Sequence, residues 1–146
     1  MDVVRCTLAA EGELRRLAAL SYPLEGCGIL IGHLRDDRHN GEPLVVKAIP
    51  GHNLVTDRAN DRYELDPHDI LVADRRARDH GMDIVGFWHT HPDHPAEPSR
   101  FDTERAWPDY VYVICSTVRA GVMDIRWWRI PGDRGEFVEL AVSPPD

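Results

Sequence analysis

The sequence predicts an α/β protein in which a mixed β-sheet lies between helices. Strand-like and helix-like segments alternate along the chain, and several neighbouring strands are joined by turns, as in hairpins. The length of 146 residues fits one compact domain, because domains usually contain about 100–200 residues. With 42% hydrophobic and 29% charged residues, the chain has the composition of a globular protein. We therefore expect residues 1–146 to form a single domain.

Three kinds of local signal define the elements of the first half. Apolar residues recur at helical spacing before Pro23, the polar stretch Arg35–Glu42 has the composition of a turn, and Asp66-Pro67 is a typical helix start. His80-Gly81 is a typical helix end. The predicted elements are a strand Val3–Leu8, a helix that ends before Pro23, a hairpin of strands Cys27–Leu34 and Leu44–Ile49, and a helix Pro67–His80.

The second half predicts a central strand followed by a short helix and three more strands. The run Ile84–Trp88 is apolar on both faces, as in a strand that is covered on both sides. Aromatic bulk in such segments usually packs in the core, and we expect this of Trp88, Trp107, Trp127 and Trp128. The predicted elements are a strand Asp83–Thr90, a helix Ser99–Trp107, a strand Tyr110–Cys115, and a hairpin of strands Val122–Ile130 and Phe137–Val142 around Pro131-Gly132-Asp133.

Composition excludes several classes of function. The formal net charge is −8 and no basic block stands out, so we expect no nucleic-acid partner. No apolar run reaches the roughly 20 residues that span a bilayer, and the first residues lack the pattern of a signal peptide. These observations predict a soluble, cytoplasmic protein without a membrane partner. The three cysteines lie far apart, which predicts reduced thiols, so a metal would need other ligands.

The residues that carry chemistry are concentrated after the central strand. The spacing is His89-x-His91, seven residues, Ser99, two residues, Asp102. Side chains two positions apart on a strand point to the same face, so the two imidazoles can converge on one ion. A ten-residue excursion that contains three prolines then brings Asp102 back in the first turn of the next helix. The pattern predicts one metal ion held by His89, His91 and Asp102.

Three nitrogen and oxygen ligands leave one tetrahedral position of Zn²⁺ open, which is typical of a catalytic site. A water there would ionise near pH 7. Glu25 is the predicted general acid and base, because Glu25-Gly26-Cys27-Gly28 begins a strand that we expect beside the histidine strand. Ser99 is placed to donate a hydrogen bond to the oxyanion of an attacked carbonyl. Ser99-x-x-Asp102 is also a helix capping box in outline, and the two roles are compatible.

The pattern of an upstream Glu followed by His-x-His-x7-Ser-x2-Asp resembles that of the JAMM, or MPN-plus, zinc metalloproteases. Every position of that pattern is filled here. The similarity to the bacterial branch of the family covers most of the chain. It is carried by Glu25-Gly26-Cys27-Gly28, Arg62–Pro67, Trp88–Asp102 and Ala106-Trp107-Pro108.

This resemblance implies a cytidine-deaminase-like α/β/α sandwich with a mixed central sheet. It also implies an isopeptidase that cuts the bond after the C-terminal Gly-Gly of a ubiquitin-like protein. In bacteria the related substrates are small sulfur-carrier proteins, and some members release cysteine from the carrier's tail. The family assigns zinc binding to His89, His91 and Asp102, acid and base catalysis to Glu25, and oxyanion stabilisation to Ser99.

Two other functions fit parts of the sequence. A non-catalytic MPN-type scaffold would use the same fold to bind a protein partner, although a complete ligand set argues against it. His89-x-His91-x-Asp93-His94 also matches the metallo-β-lactamase signature, but all eight histidines lie at or before His94, and that fold needs further downstream ligands. We interpret Cys27 as structural and Asp93 and His94 as residues of a polar turn. The sequence leaves the carrier, the released group and the oligomeric state open.

Overall fold

A computed structural model describes residues 2–57, 59, 62–132 and 135–145. Seven strands, three α-helices and one short 3-10 turn lie in these residues. The strands are β1 (Val3–Cys6), β2 (Cys27–Asp36), β3 (Glu42–Pro50), β4 (Asp83–Pro92), β5 (Val111–Val118), β6 (Gly121–Arg129) and β7 (Val138–Ser143). The helices are α1 (Leu8–Ser21), α2 (Pro67–Asp79) and α3 (Arg100–Arg105), and the 3-10 turn is Asp37–His39.

The strands form a mixed sheet in the order β1-β3-β2-β4-β5-β6-β7. β2 pairs with β3 and β6 pairs with β7 in antiparallel fashion, so both predicted hairpins are confirmed. β4 lies between antiparallel β2 and parallel β5, as expected for a central strand. The short β1 pairs in parallel with both β3 and β7 and thereby closes the order. This closure was not predicted, because nothing local marks the partners of a four-residue strand.

Helices α1 and α2 pack against opposite faces of the sheet. Leu30 of β2 and Val85 of β4 belong to the core cluster that contains α1. The neighbouring Ile29 of β2 belongs to the cluster that contains α2, as does Phe87 of β4. Because successive side chains of a strand point to opposite faces, the two clusters lie on the two sides of the sheet. The predicted α/β class with a mixed sheet between helices is confirmed.

Two predicted boundaries beside α-helices are wrong by two residues. The first strand ends at Cys6 rather than Leu8, because Thr7 is the N-cap of α1 and accepts a hydrogen bond from the Ala10 N–H. Helix α3 ends at Arg105 rather than Trp107. Pro108 follows Trp107 directly, and the residue before a proline is disfavoured in a helix.

The prediction that all four tryptophans pack in the core is wrong for Trp107. Its side chain is 53% exposed, whereas Trp88 and Trp127 are buried. Released from the helix, Trp107 donates its backbone N–H to the Tyr112 hydroxyl at 2.8 Å. Its ring faces Phe87 at a centroid distance of 5.6 Å, so it packs beside the core on one side and contacts solvent on the other.

The last strands differ little from their predicted bounds. β5 continues beyond the predicted end at Cys115 to Val118, because its polar residues Ser116 and Thr117 still pair with β6. The predicted turn after β6 includes Asp133, which lies outside the described residues. None of the helices in the described part of the chain combines the length and the apolar character needed to cross a bilayer.

Candidate active site

The end of β4 places two imidazoles next to each other. His89 and His91 point to the same face of the strand, and their Nε2 atoms lie 3.2 Å apart. His89 is 1% exposed and His91 is partly buried. The backbone here is fixed by both neighbouring strands, with His89 opposite Cys27 of β2 and Ile114 of β5. The pair therefore sits on a strand that is hydrogen-bonded on both sides.

Asp102 returns to this pair through the cap of helix α3. The Ser99 hydroxyl accepts a hydrogen bond from the Asp102 N–H at 3.0 Å, and the Ser99 N–H donates to Asp102 Oδ2 at 2.9 Å. This reciprocal capping box fixes the carboxylate at the start of a six-residue helix. Asp102 Oδ1 lies 3.2 Å from His89 Nε2, and Oδ2 lies 3.1 Å from His91 Nε2. The Asp102 carboxylate therefore caps α3, as predicted, and also lies beside both imidazoles.

The donor set fits a metal cation. The Nδ1 atom of His91 lies 2.8 Å from the Pro95 carbonyl oxygen, and a carbonyl only accepts, so Nδ1 carries the proton in this contact. A neutral His91 then directs the lone pair of Nε2 at the carboxylate of Asp102. Two acceptors at this distance repel each other unless a proton or a cation lies between them. The site is therefore built for a positive charge at the point where the three side chains meet.

The pKa values of these groups follow from burial and from their mutual contacts. Burial favours the neutral acid of Asp102, but His89, His91 and the Ser99 N–H together hold its pKa well below the ordinary value. Burial lowers the pKa of His89 despite the nearby carboxylate. Burial has the same tendency at His91, where contacts with Asp102 and the Pro95 carbonyl outweigh it and raise the pKa. The site thus holds an ionised carboxylate against one imidazole that resists protonation and one that favours it.

Glu25 lies next to the histidine pair. Its side chain is 6% exposed, and it immediately precedes the glycine that leads into β2. Potential ligand atoms of Glu25, His89 and His91 all lie within 4.8 Å of one another. The expectation that the Glu25 segment lies beside the histidine strand is met, since β2 pairs with β4. The histidines are thus shared by two possible ligand triads, one completed by Asp102 and one by Glu25.

Two cavities meet at Asp102. A cavity of about 380 Å³, here called the polar cavity, is bordered by Glu25, His91, His94, Glu97 and Ser99. A second cavity of about 370 Å³, here called the aromatic cavity, is lined by four aromatic side chains, Tyr63, Phe87, Trp107 and Tyr112, among other residues. Asp102 lines both cavities, so this predicted metal ligand is next to each of them.

Tyr63 is a residue of the site to which sequence reasoning gave no definite role. Its ring stacks on the His89 imidazole at a centroid distance of 4.5 Å and an interplanar angle of 23°. Burial, with the Asp102 carboxylate next in importance, raises the pKa of Tyr63 well above its ordinary value. The stack leaves His89 little room to rotate. The only signal was that Arg62-Tyr63 belongs to a segment resembling the JAMM family.

Cys27, Asp93 and His94 agree with their structural interpretation. Burial raises the pKa of Cys27 to about 12, so it is a thiol rather than a thiolate nucleophile. Asp93 has a φ of 60°, and its carboxylate accepts a hydrogen bond from the Tyr22 hydroxyl at 3.0 Å. The His94 carbonyl accepts one from the Ser116 hydroxyl at 2.6 Å. Asp93 and His94 therefore hold the turn after β4.

Comparison with known families agrees with this geometry. A family described as prokaryotic homologs of the JAB domain matches residues 8–130. The chain belongs to this family. The match contains every site residue named above, from Glu25 to Asp102. The resemblance to the JAMM metalloproteases is confirmed, and metallo-β-lactamase chemistry is no longer required to explain His89-x-His91-x-Asp93-His94.

Three other proteins are similar to this chain over nearly its whole length. A protein named desampylase, from Haloferax volcanii, is 38% identical over 98% of this chain and 99% of its own length. The solution structure of a protein from Desulfitobacterium hafniense is 27% identical, with a TM-score of 0.79, and the match covers 98% of this chain and 93% of that one. A Salinibacter ruber solution structure is 35% identical, with a TM-score of 0.73 and coverage of 97% and 92%. The predicted enzyme class, a JAMM-type isopeptidase, is confirmed.

Proposed function

We propose that this protein is a zinc-dependent isopeptidase that hydrolyses the bond after the C-terminal Gly-Gly of a ubiquitin-like or sulfur-carrier protein. The observation that carries the proposal is the triangle formed by His89, His91 and Asp102, with edges of 3.1–3.2 Å. Glu25 stands beside this triangle. A relative that is 38% identical and is named desampylase supports a conjugate as the substrate.

Zn²⁺ suits this donor set better than Ca²⁺ or Mg²⁺ does. Tetrahedral zinc with bonds of about 2.0–2.1 Å to nitrogen and oxygen keeps its ligand atoms about 3.3 Å apart, which is close to the observed edges. Calcium and magnesium prefer oxygen ligands, whereas two of the three side chains here offer imidazole nitrogens. When bound, one zinc ion would polarise the substrate carbonyl and lower the pKa of a water molecule. His89, His91 and Asp102 would hold it.

Glu25 and Ser99 supply the remaining functions. A carboxylate at the position of Glu25 can take a proton from the attacking water and pass it to the leaving amine, which balances the hydrolysis. The Ser99 Oγ accepts the Asp102 N–H, and this leaves the hydroxyl proton of Ser99 available to an oxyanion. Both residues border the polar cavity, so we place the attacked carbonyl there.

Ser99 provides a prediction that separates capping from catalysis. Replacing Ser99 by alanine is expected to lower kcat by about 10²–10³-fold, as for the loss of one oxyanion donor. Loss of the cap costs only about 1 kcal/mol of folding free energy, so the variant should remain folded. Ser99→Thr keeps a hydroxyl for both roles and should recover most of the rate. Equal rates for wild type and Ser99→Ala, with equal zinc content, would remove Ser99 from the mechanism.

The aromatic cavity is the proposed site for an apolar side chain of the substrate. Its walls are largely aromatic and aliphatic, and it borders Asp102, so it lies within reach of a chain held at the site. Replacing the half-exposed Trp107 by alanine is expected to raise KM about five- to thirtyfold with little change in kcat, since one to two kcal/mol of uniform binding is lost. Leu8, 78% exposed at the start of α1, gives a matched control as Leu8→Ala. A fall in kcat alone would place Trp107 in another role.

The overall reaction is tested by mass spectrometry of carrier conjugates. Zinc-loaded protein is incubated with a carrier whose Gly-Gly tail bears a cysteine, a peptide or a lysine-linked protein. Hydrolysis adds one water and splits the conjugate into the carrier acid and the released amine. No change in any conjugate, with one zinc ion bound per chain, would contradict the proposal. Protein that binds no zinc after reconstitution would favour the scaffold function.

We further propose that residues 1–146 act as one domain in the cytoplasm. The three cysteines are free and buried, which agrees with a reducing compartment. Nothing in the proposed reaction requires a nucleic acid or a membrane. The carrier is the only macromolecular partner that the proposal needs.

A further inference from the structure

Asn53 makes a complete set of hydrogen bonds beside the candidate site. Its Nδ2 donates to the carbonyls of Glu25 and Arg62, each at 3.2 Å. Its Oδ1 accepts from the backbone N–H groups of Val55 at 3.0 Å and Glu64 at 2.9 Å. A carboxamide has two N–H donors and two acceptor lone pairs, so every one is used, and all on main-chain groups. No hydrophobic or charged side chain can replace this pattern.

These four bonds join separate segments of the chain. The first segment ends at Glu25, the second is Asn53 with the residues just after it, and the third is the stretch 62–65. The backbone of the second and third segments is also paired, by the Asn53–Leu65 bridge and by the Leu54 N–H bonded to the Glu64 carbonyl at 2.8 Å. The third segment carries Tyr63, which stacks on His89. Asn53 therefore fixes Glu25 relative to a ring that rests on a predicted metal ligand.

A matching contact holds the other side of the Glu25 segment. The Gly26 N–H donates to the Thr90 hydroxyl at 2.8 Å, and the Thr90 N–H donates to the Gly26 carbonyl at 3.0 Å. Thr90 is fully buried and lies between the two histidines in the sequence. The Glu25–Gly26 peptide is thus tied to Asn53 through its carbonyl and to β4 through its N–H. Together with the bond from the Glu25 N–H to the Ala59 carbonyl at 2.5 Å, these anchors set how far the Glu25 carboxylate stands from the imidazoles.

We propose that Asn53 is a positioning residue for Glu25. The inference rests on the proposed function, in which Glu25 transfers the proton. Asn53 itself touches neither the substrate nor the zinc ligands in this scheme and acts only through the Glu25 main chain. Since a misplacement of about 1 Å can cost 10²-fold in rate, loosening this anchor is expected to affect kcat rather than KM.

Asn53→Asp is the most informative variant. Aspartate keeps the two acceptor contacts to Val55 and Glu64, but it lacks both N–H donors and directs a carboxylate at the carbonyls of Glu25 and Arg62. Asn40→Asp is the matched control, because Asn40 ends the 3-10 turn with a φ of 58°, away from the site. We expect Asn53→Asp to lower kcat about 10- to 100-fold, with KM and zinc content unchanged. Asn40→Asp should match wild type.

A double-mutant cycle with Glu25→Gln separates positioning from a general loss of structure. If Asn53 acts through Glu25, adding Asn53→Asp to Glu25→Gln should produce almost no further loss of rate. If Asn53→Asp caused a purely structural defect, the fold-loss of rate in the double variant would be the product of the two single fold-losses. Full additivity, or wild-type kcat in Asn53→Asp, would overturn the proposal.

Hydrogen exchange tests the anchor without relying on activity. Amide exchange in the segment 24–28 should be faster in Asn53→Asp than in wild type and in Asn40→Asp, both measured with zinc bound. Unchanged exchange there would overturn the role of Asn53 even if no substrate were found. Conversely, suppose that wild-type protein cleaves no conjugate while amide exchange in the segment 24–28 is still faster in Asn53→Asp than in wild type. That result would refute the proposed function and leave the role of Asn53 as an anchor intact. If Asn53→Asp does not fold, Asn53→Ser gives the same comparison without an added charge.

Discussion

Replacing Glu25 by glutamine is expected to lower kcat by about 10²–10⁴-fold, the usual contribution of a general acid and base. Glutamine has nearly the same shape and can remain in the buried position beside the histidines, but it cannot accept and return a proton. The change should leave KM and folding nearly unaltered. The measurement is the initial rate of hydrolysis of a carrier conjugate by zinc-loaded protein.

The control for this variant is Glu104→Gln. Glu104 lies on α3, is 60% exposed and pairs with the exposed Arg100, so its loss should not change the rate. Zinc content is measured in parallel, because Glu25 also belongs to a possible ligand triad with His89 and His91. Retained zinc with lost activity assigns Glu25 to proton transfer. Lost zinc would make it a ligand and would contradict the mechanism.

Replacing Asp102 by asparagine is expected to remove both zinc and activity. The amide has no negative charge to offer the ion, although its oxygen can still accept the Ser99 N–H, so the cap of α3 should survive. Losing the metal costs several kcal/mol of transition-state stabilisation, which corresponds to at least about 10³-fold in rate. The measurement is zinc per chain by elemental analysis, together with the hydrolysis rate.

Asp74→Asn serves as the control for Asp102. Asp74 is a partly exposed residue of α2 that pairs with Arg78 four positions later, a contact worth little to stability. Asp102→Asn that still binds one zinc ion per chain and hydrolyses the conjugate at the wild-type rate would exclude Asp102 as a ligand. Together with Glu25→Gln, this variant distinguishes the two triads that share His89 and His91.

The parts of the site that follow local rules were predictable. The alternation of strand side chains brings His89 and His91 together, and the capping box of Ser99 and Asp102 follows from the spacing at a helix start. Glu25 was predictable because the glycines after it mark the start of a strand. Each of these inferences needs only neighbouring residues and one pairing between strands.

The parts that depend on distant segments were not predictable. Tyr63 meets His89 and Asn53 meets Glu25 only because the connection between β3 and α2 folds back over the end of β4. Neither residue type identifies its partner, since an amide or an aromatic ring suits many environments. The position of Trp107 outside the core likewise depends on where Pro108 ends α3. The closure of the sheet by β1 depends on two strands that are far apart in the chain.

The capping box has a consequence for the apo protein. Helix α3 has only six residues, too few to be stable alone, and its first turn is held by the same carboxylate that faces the imidazoles. If Asp102 binds zinc as proposed, ion uptake and ordering of the turn between Pro92 and Asp102 are coupled equilibria. A change that frays this turn would then weaken zinc affinity even when no ligand is altered, and bound zinc would protect the turn from unfolding.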